Sequence, residues 1–435
     1  MYELLRQQKN KKIFAVVDCD NFFVSCERVF RPDLQNKPVA VLSNNDGCIV
    51  SRSKEVKELG IPMGAPVFKF RDIIQQKKIT LFSGNFSLYG DMSNRVMSIL
   101  KDSASQIYIY SIDEAFLDLT NQEVPAGNYD LYCTNLRSKI KTYTGIPVSI
   151  GIASTKTLAK IASKLAKKGN GVFDMTKLTD SDLDQLFTQF DIADIWGIGR
   201  KLTPKLKARS IFTAYDLKNY DSKILQKLTN VTGERISLEL NGISCINLHT
   251  VTMPRKNIAS TRSFGKSIID IRELREAITN YTAIACKKLR QQDSIAQKIG
   301  VYIRTDRFKN NNKYIGFEIK KLSCPSSDTR YFTKAALEAL SNIFKPGHDY
   351  AKAGVFIFDI RPRTSLQENL LSQDYHKINK FSQRLMKAID KIDAEWGSNT
   401  IKLGSAGFSA KWKAKCQLRS PRYTSKWAEL LQVST

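Results

Sequence analysis

The chain has 435 residues, of which 42% are hydrophobic and 25% charged, an ordinary globular composition with enough length for roughly two to four domains. Lysine and arginine number 68 against 42 aspartate and glutamate residues, so the net charge is +26, which favours a polyanionic partner such as nucleic acid. The alternative interpretation of this charge is a ribosome-associated or generally basic protein.

The sequence disfavours two other kinds of protein. No stretch approaches the roughly 18 apolar residues that a membrane helix needs, and the apolar run 13–17 is too short for a signal-peptide core, so we expect a cytoplasmic protein. The 8 cysteines form no C-x-x-C pair, and the 3 histidines lie far from metal-ligand spacing with them, so we expect no zinc site.

Strands and helices alternate along the first part of the chain. Apolar, β-branched runs predict strands, and apolar residues at helical spacing predict helices. In chain order we predict strands at 13–18 and 39–43, helices at 53–59 and 87–101, a strand pair across 107–118, a helix at 129–143, a strand at 148–152 and a basic helix at 156–168. This alternation indicates an α/β domain.

The second part of the chain has a different pattern. Short helices and turns are predicted at 180–240, followed by a linker at 247–254. The order β-α-β-β-α-β is predicted for 258–264, 271–292, 297–304, 313–320, 330–344 and 351–359. That order is typical of a ferredoxin-like split βαβ unit. A helix at 375–395 and a basic, aromatic stretch complete the chain.

Three carboxylates stand at predicted strand ends: Asp18 in FAVVDC, and the neighbours Asp113 and Glu114 in SIDEAFLD. Such a carboxylate is costly without a cation, and two divalent ions about 4 Å apart can stabilise both the attacking and the leaving oxygen of a phosphoryl transfer. The side chains of neighbours on a regular strand face opposite ways. If Asp113 and Glu114 both serve one site, either the backbone turns there or Glu114 stands on the rim of the site. Each segment alone is more typical of a cap or a turn.

An ordered series of motifs makes the interpretation specific. DCDNFF from Asp18, SIDE from Ser111, VSIGIASTKTLAKIASKLAKK from Val148 and IWGIGRKL from Ile195 resemble the Y-family DNA polymerases in sequence and in order. NNDGC, YGDMSNRVM and SPRYTSKW resemble the UmuC-type members of that family. The resemblance spans nearly the whole chain and implies an error-prone translesion DNA polymerase that adds dNMP to a primer 3′ end in SOS-type damage tolerance.

The resemblance also implies a multidomain α/β and α+β fold, a right-hand polymerase. The implied domains are a palm at 1–24 and 77–167, fingers at 25–76, a helical thumb with a helix-hairpin-helix at 168–242, a ferredoxin-like little finger at 243–361 and a UmuC-type tail at 362–435.

The resemblance assigns the metal site to the three carboxylates. By the resemblance, Asp18 and Asp113 ligate two Mg²⁺ ions, for which Mn²⁺ can substitute. Glu114 completes the carboxylate set, and the carbonyl oxygen of Cys19 is the backbone ligand.

The nucleotide site is assigned in the same way. Lys57 and Lys167 match family positions that hold the triphosphate, although lysines usually belong to solvated helix faces. Phe22 and Phe23 follow the metal strand. Phe23 matches the steric gate that excludes the 2′-hydroxyl, whereas core packing is the ordinary role of an aromatic such as Phe22.

Two further regions are assigned to DNA. The Gly197-Ile198-Gly199 turn before a predicted basic helix at 200–210 fits a helix-hairpin-helix that binds phosphates through backbone N–H groups. Basic residues of the little finger lie on or beside predicted strands. The predicted DNA-binding residues are Gly197, Gly199, Lys201, Arg262, Lys266 and Arg304.

The family also implies protein partners: a processed UmuD-type dimer, RecA and the sliding clamp. Residues 367–371 lie where UmuC-type members carry a short clamp-docking peptide; they keep the Gln and a terminal apolar pair but lack the usual second-position Leu and final Phe. Two rival hypotheses stay open. One is a different two-metal enzyme on a palm-like fold, such as a nucleotidyl cyclase, which would need no duplex track. The other is a non-catalytic DNA-binding scaffold, against which the intact Asp18, Asp113 and Glu114 argue.

Overall fold

The computed structural model describes residues 12–124, 127–247, 254–306, 313–365, 373–408 and 412–430. The chain divides into two compact units. The first comprises Met1–Ser43, Gly47–Thr252 and Leu418–Thr435, and the second comprises Asn44–Asp46 and Met253–Gln417. No described helix is long and apolar enough to cross a membrane.

The first unit contains most of the predicted alternation of strands and helices. Its strands are β1 Phe14–Cys19, β2 Val39–Leu42, β3 Ile49–Arg52, β4 Thr80–Ser83, β5 Gln106–Ile109, β6 Glu114–Asp118, β7 Val148–Ala153 and β8 Val172–Asp174. Its helices are α1 Phe22–Phe30, α2 Lys54–Glu58, α3 Arg71–Gln76, α4 Phe86–Lys101, α5 Tyr129–Thr144, α6 Lys156–Ala166, α7 Asp180–Thr188, α8 Thr203–Lys207, α9 Ala214–Asn219, α10 Ser222–Thr229 and α11 Val231–Leu240.

The main sheet has the order β5-β6-β1-β7-β8, and β1 is antiparallel to both of its neighbours. Both faces of β1 are covered. Ala15, Val17 and Cys19 pack into a core with α4 and α5, whereas Phe14 and Val16 pack into a second core with α6. This two-sided burial explains why β1 reads as a continuous apolar run.

The strands β2, β3 and β4 form a separate, smaller sheet in the order β3-β2-β4. β2 pairs antiparallel with β3 and parallel with β4. Ala40, Leu42, Ile49, Val56 and Ile61 form its own buried core with α2. The helices α7–α11 pack around buried apolar side chains such as Phe187, Leu206 and Ile236.

The second unit has the strands β9 Ile258–Ile268, β10 Ser294–Thr305, β11 Ile315–Ser326, β12 Tyr350–Phe358 and β13 Arg361–Pro362 and the helices α12 Ile271–Gln291, α13 Thr329–Ile343 and α14 Gln373–Glu395. The antiparallel order β11-β10-β12-β9 and the chain order β-α-β-β-α-β confirm the predicted ferredoxin-like unit. The predicted fold class is confirmed.

Candidate active site

Asp18 lies at the end of the central strand β1, where the two neighbouring strands bring polar partners to it. Glu114 of β6 is its register partner on one side, and Ser149 of β7 is its partner on the other. The Asp18 side chain is 15% exposed. Asp20, just beyond the strand, accepts hydrogen bonds from the Ser149 hydroxyl at 2.8 and 3.0 Å. The strand end is therefore a polar edge on an apolar sheet.

Asp113 and Glu114 are neighbours, yet both belong to this edge because the chain turns between them and β5. β6 begins at Glu114, whose carbonyl oxygen accepts the N–H groups of Tyr110 and Ser111 at 3.0 and 3.1 Å. The Asp113 carbonyl accepts the N–H of Cys19 at 2.8 Å. The Ser111 hydroxyl donates to Asp113 Oδ1 at 2.5 Å. The turn before β6 therefore places both Asp113 and Glu114 beside β1.

Two lysines form ion pairs with these carboxylates. Lys167 Nζ lies 2.6 Å from Asp18 Oδ1, and the Lys160 ammonium contacts Glu114 Oε1. Burial raises the pKa of Asp18 to about 7, although Lys167 acts to lower it. Burial also acts to raise the pKa of Glu114, but hydrogen bonds to Asp18 and Lys160 outweigh it and hold that pKa below its usual value. At neutral pH the pair therefore retains part of a proton that a bound cation would displace.

The donor set fits a hard divalent cation in its chemistry. The carboxylates of Asp18, Asp113 and Glu114 and the Cys19 carbonyl are oxygen donors of the kind that Mg²⁺ and Mn²⁺ prefer. Within the described ranges, no three His, Cys, Asp or Glu side chains already stand close enough together to hold an ion. The contacts of Lys167, Lys160 and Ser111 occupy the oxygens, so ion binding requires these side chains to rearrange.

A cavity of about 510 Å³ opens at this edge. It brings together most of the residues predicted for metal and nucleotide binding, namely Asp18, Cys19, Phe22, Phe23, Lys57, Asp113 and Lys167. Glu114 does not line it but lies directly across the ladder from Asp18. Asn21, Arg52, Lys54 and Met63 also line the cavity. Carboxylates and cations thus face one space of nucleotide size.

Lys57 and Arg52 line the cavity together with Lys167. The Lys57 ammonium contacts Asn21 Oδ1, and Asn21 has a left-handed backbone, with φ of 49°, where it begins α1. Burial lowers the pKa of Lys57, and the nearby charges of Lys167 and Arg52 lower it further. An anion bound beside Lys57 would favour its charged form, so this part of the cavity is suited to a triphosphate.

The two phenylalanines occupy different environments. Phe22 is 3% exposed and belongs to the core beneath the main sheet. Phe23 is half-buried. Its ring stacks on Tyr89 with centroids 4.5 Å apart and 14° between planes, and it meets Phe86 edge-on at 5.9 Å. Phe23 therefore presents a ring to the cavity that is held from behind by aromatic neighbours.

The predicted helix-hairpin-helix is more compact than its sequence suggested. The helix predicted across 200–210 is only Thr203–Lys207, with Pro204 in its first turn, where proline is favoured. Gly197 has φ of 92°, and a Cβ there would lie 2.7 Å from Ile236 Cδ1, so glycine is required by both conformation and space. Gly199 and the exposed Lys201 lie between this turn and α8.

Strand register separates the basic residues of the second unit. Arg304 pairs with Lys352 across β10 and β12, on the open face of the sheet that also carries Phe317. Arg262 pairs with the buried Ala353 and lines a cavity with α12 and α14, so it lies on the helix-covered side. Lys266 is exposed near the end of β9. The predicted basic residues thus do not form one continuous face.

Sequence reasoning missed Lys160 and the supports of Phe23. Lys160, Lys164 and Lys167 are spaced i, i+4 and i+7 along α6 and its C-terminus, a helical face that could have identified Lys160. The contacts of Tyr89 with Phe23 and Glu27 have no such signal, because these residues lie far from it in the sequence. The predicted clamp segment 367–371 lies outside the described residues.

Comparison with known proteins gives two matches to one family. Residues 17–164 match the impB/mucB/samB family, and residues 255–370 match the impB/mucB/samB family C-terminal domain. Residues 383–433 match a domain of unknown function, DUF4113.

Curated relatives are similar over almost the full chain. Protein UmuC of Salmonella typhimurium is 38% identical over 426 residues, which cover 97% of this chain and 100% of that protein. Protein SamB of Salmonella typhimurium is 37% identical over 96% of this chain and 99% of that protein. A DNA polymerase IV from Oceanobacillus iheyensis is 26% identical over 90% of this chain and 91% of that protein.

Solved structures share the fold. A Y-family DNA polymerase chimera of Dbh and Dpo4 matches with a TM-score of 0.64 and 24% identity, covering 80% of this chain and 99% of that one. An insertion ternary complex of Dbh DNA polymerase matches with a TM-score of 0.52 and 23% identity, with the same coverage.

Proposed function

The chain belongs to the impB/mucB/samB family, and we propose that it adds dNMP to a primer 3′ end by two-metal phosphoryl transfer in the cavity beside β1. As a member of this family it is a DNA-directed DNA polymerase of the error-prone, translesion type, acting in DNA damage tolerance. It binds DNA and dNTPs and depends on a divalent metal.

One observation carries the mechanism: carboxylates, cations and the Phe23 ring line a single cavity. Asp18 and Asp113 stand on the side of β1, and Lys57 and Lys167 stand where a triphosphate would extend. Phosphoryl transfer consists mainly of positioning and charge stabilisation, so a cavity that offers carboxylates for cations and ammonium groups for phosphates suits this reaction.

Asp18, Asp113, Glu114 and the Cys19 carbonyl would hold two Mg²⁺ ions, for which Mn²⁺ can substitute. When bound, such ions activate the primer hydroxyl and neutralise charge on the phosphates. Lys167 contacts Asp18 and would bind the triphosphate where that carboxylate holds an ion instead.

Lys57, Lys167 and Arg52 would bind the triphosphate oxygens. Phe23 would lie beneath the sugar and exclude a 2′-hydroxyl, and the buried Phe22 supports the cavity floor.

We assign the palm to 1–24 and 77–167, the fingers to 25–76, the thumb to 168–242, the little finger to 243–361 and the tail to 362–435. The Gly197–Gly199 turn with Lys201 would hold the duplex backbone. Arg304 would contact DNA from the open face of the little finger. The exposed Lys266 would add a phosphate contact, and Arg262, also exposed, would contact DNA from the other side of the sheet than Arg304.

The same family membership supports a set of partners for the SOS response in the cytoplasm: a processed UmuD-type dimer, RecA and the sliding clamp. The clamp contact is proposed for 367–371, where Gln367 and the pair Leu370 and Leu371 are retained.

Primer extension with Mg²⁺ on an undamaged and on an abasic template tests the proposal. A translesion polymerase extends both. A nucleotidyl cyclase extends neither but converts free nucleotide, and a non-catalytic scaffold binds the DNA without extension. The assay is run with and without a UmuD-type dimer and RecA, so that a requirement for partners is seen as such.

A further inference from the structure

A segment near the end of the chain, Leu418–Leu430, packs within the first unit against β4 and α4. The Ser83 N–H donates to the Leu418 carbonyl at 3.0 Å, and the Leu418 N–H donates to the Ser83 hydroxyl at 2.9 Å. The Asn85 amide donates to the Ser420 carbonyl at 3.1 Å and to the Pro421 carbonyl at 3.1 Å. We call Leu418–Leu430 the C-terminal clasp. Its backbone is attached by several hydrogen bonds at one place.

Buried side chains anchor the clasp as well. Tyr423 is 6% exposed and stacks on Phe30 of α1, with centroids 4.6 Å apart and 13° between planes. Ser420 is 5% exposed. The clasp therefore forms part of the core beside α1 and α4, although it belongs to the stretch that matches a domain of unknown function.

The Ser420 hydroxyl reaches a fully buried carboxylate. It accepts a hydrogen bond from the Asn85 amide at 3.0 Å and donates to Glu27 Oε1 at 3.0 Å. The Tyr89 hydroxyl donates to the same Glu27 oxygen at 2.6 Å. Glu27 is 0% exposed, and these two donors replace lost water at its Oε1 atom.

Tyr89 connects this network to the cavity. Its hydroxyl is held by Glu27, and the face of its ring lies 4.5 Å from the Phe23 ring and nearly parallel to it. The contacts run without a gap from Ser420 through Glu27 and Tyr89 to Phe23. A displacement of tenths of an ångström at Tyr89 would be transmitted to Phe23, because the rings are in van der Waals contact.

We propose that the C-terminal clasp completes the nucleotide site, with Ser420 as a positioning residue that fixes the steric gate through Glu27 and Tyr89. The inference rests on the proposed role of Phe23 as that gate. It gives this part of the domain of unknown function a task in sugar selection. A clasp that serves only for attachment would change stability without changing the choice between sugars.

The test is the ratio of kcat/KM for dNTP to that for rNTP, measured by single-nucleotide primer extension on the full chain with any partners it requires. Ser420→Ala is expected to lower this ratio by roughly two- to tenfold, the effect of one net hydrogen bond. Ser420→Thr keeps the hydroxyl and is expected to preserve the ratio. Ser425→Ala, the same change at an exposed position of the clasp, is the matched control and should leave the ratio unchanged.

Phe23→Ala separates this inference from the function beneath it. If Phe23→Ala leaves the ratio unchanged, the gate itself is wrong. If Phe23→Ala lowers the ratio but Ser420→Ala does not, the clasp inference alone is overturned. The double variant should show no effect of Ser420→Ala beyond that of Phe23→Ala, since both act through one ring.

Thermal unfolding of each variant shows whether it is folded. Should Ser420→Ala not fold, Ser420→Cys keeps the side-chain volume with a weaker donor and is assayed in its place. A folded Cys variant with a wild-type ratio would overturn the inference, and a lowered ratio would support it.

Discussion

Asp18 lies directly opposite Glu114 in the ladder of β1 and β6, and its carboxyl carries a pKa raised by burial to about 7. A proton on Asp18 must leave before a cation binds there. We therefore expect the affinity for Mn²⁺ to rise with pH, by up to about tenfold per unit for one released proton, and to level off above about pH 7. Titration of the DNA-free chain by water-proton relaxation between pH 5.5 and 8.5 measures this.

The free energy of unfolding is expected to change with pH in the opposite direction to the Mn²⁺ affinity. The ion-free folded chain keeps a proton that the unfolded chain releases above its usual pKa of 3.8. The contribution of Asp18 to the free energy of unfolding is thus fully present below that value and is lost as pH rises to about 7. Asp18→Asn is expected to remove this contribution to the pH dependence of both the Mn²⁺ affinity and the free energy of unfolding. An Mn²⁺ affinity of the wild type that is flat with pH would contradict a proton held on Asp18 at the ion site.

Lys167 and Lys168 offer a matched pair. Lys167 lines the cavity and contacts Asp18, whereas its neighbour Lys168 is exposed and does not line it. Lys167→Ala is expected to lower kcat/KM for dNTP by roughly ten- to hundredfold, the effect of one lost charge-assisted hydrogen bond, while Lys168→Ala changes it little. Steady-state kinetics of single-nucleotide incorporation distinguishes them. Equal losses would mean that bulk charge, not a triphosphate contact, is responsible.

Phe23 and Phe22 should respond differently to truncation. Phe23→Ala removes an overpacking clash with the 2′-hydroxyl, so rNTP use should rise relative to dNTP use by roughly ten- to hundredfold. Phe22→Ala opens a hole in the core and is expected to cost about 3–5 kcal/mol of stability, with both substrates affected alike. The comparison combines catalytic efficiencies with denaturant unfolding. A sugar preference altered by Phe22→Ala instead would reverse the two assignments.

DNA affinity should depend steeply on salt and little on sequence. The net charge is +26, and the proposed hairpin turn would contact the DNA backbone rather than the bases. Each neutralised phosphate contributes about −0.9 to the slope of log affinity against log salt, so Lys201→Ala should reduce the slope by about one unit. Fluorescence anisotropy with several duplex sequences at rising salt gives both quantities. A slope near zero, or strong preference for one duplex, would contradict the backbone-binding account.

The strands and helices were largely predictable because their burial is regular. β1 is covered on both faces and reads as an apolar run, and the second unit shows its β-α-β-β-α-β order in plain periodicity. The cavity could be predicted only through resemblance to a family. A turn and the ladder of β1 and β6 bring Asp113 close to Asp18. Sequence spacing alone does not choose between such a turn and a position of Glu114 on the rim.

Long-range contacts left no signal in the sequence. Ser420 and Glu27 are 393 positions apart, and neither belongs to a pattern that points to the other. The basic residues of β9 and β10 were hard to place for a related reason. A strand's alternation identifies two faces, but only the register with Ala353 and Lys352 shows that Arg262 and Arg304 lie on different ones.

The most direct test of the central claim is Asp113→Ala in primer extension, with Asp102→Ala as the matched change at an exposed position after α4. Loss of an ion ligand removes several kcal/mol of transition-state stabilisation. We predict that Asp113→Ala abolishes extension on undamaged and abasic templates while primer–template affinity, measured in the same buffer, is kept, and that Asp102→Ala extends as the wild type does. Extension by Asp113→Ala above a few per cent of wild type would contradict the account.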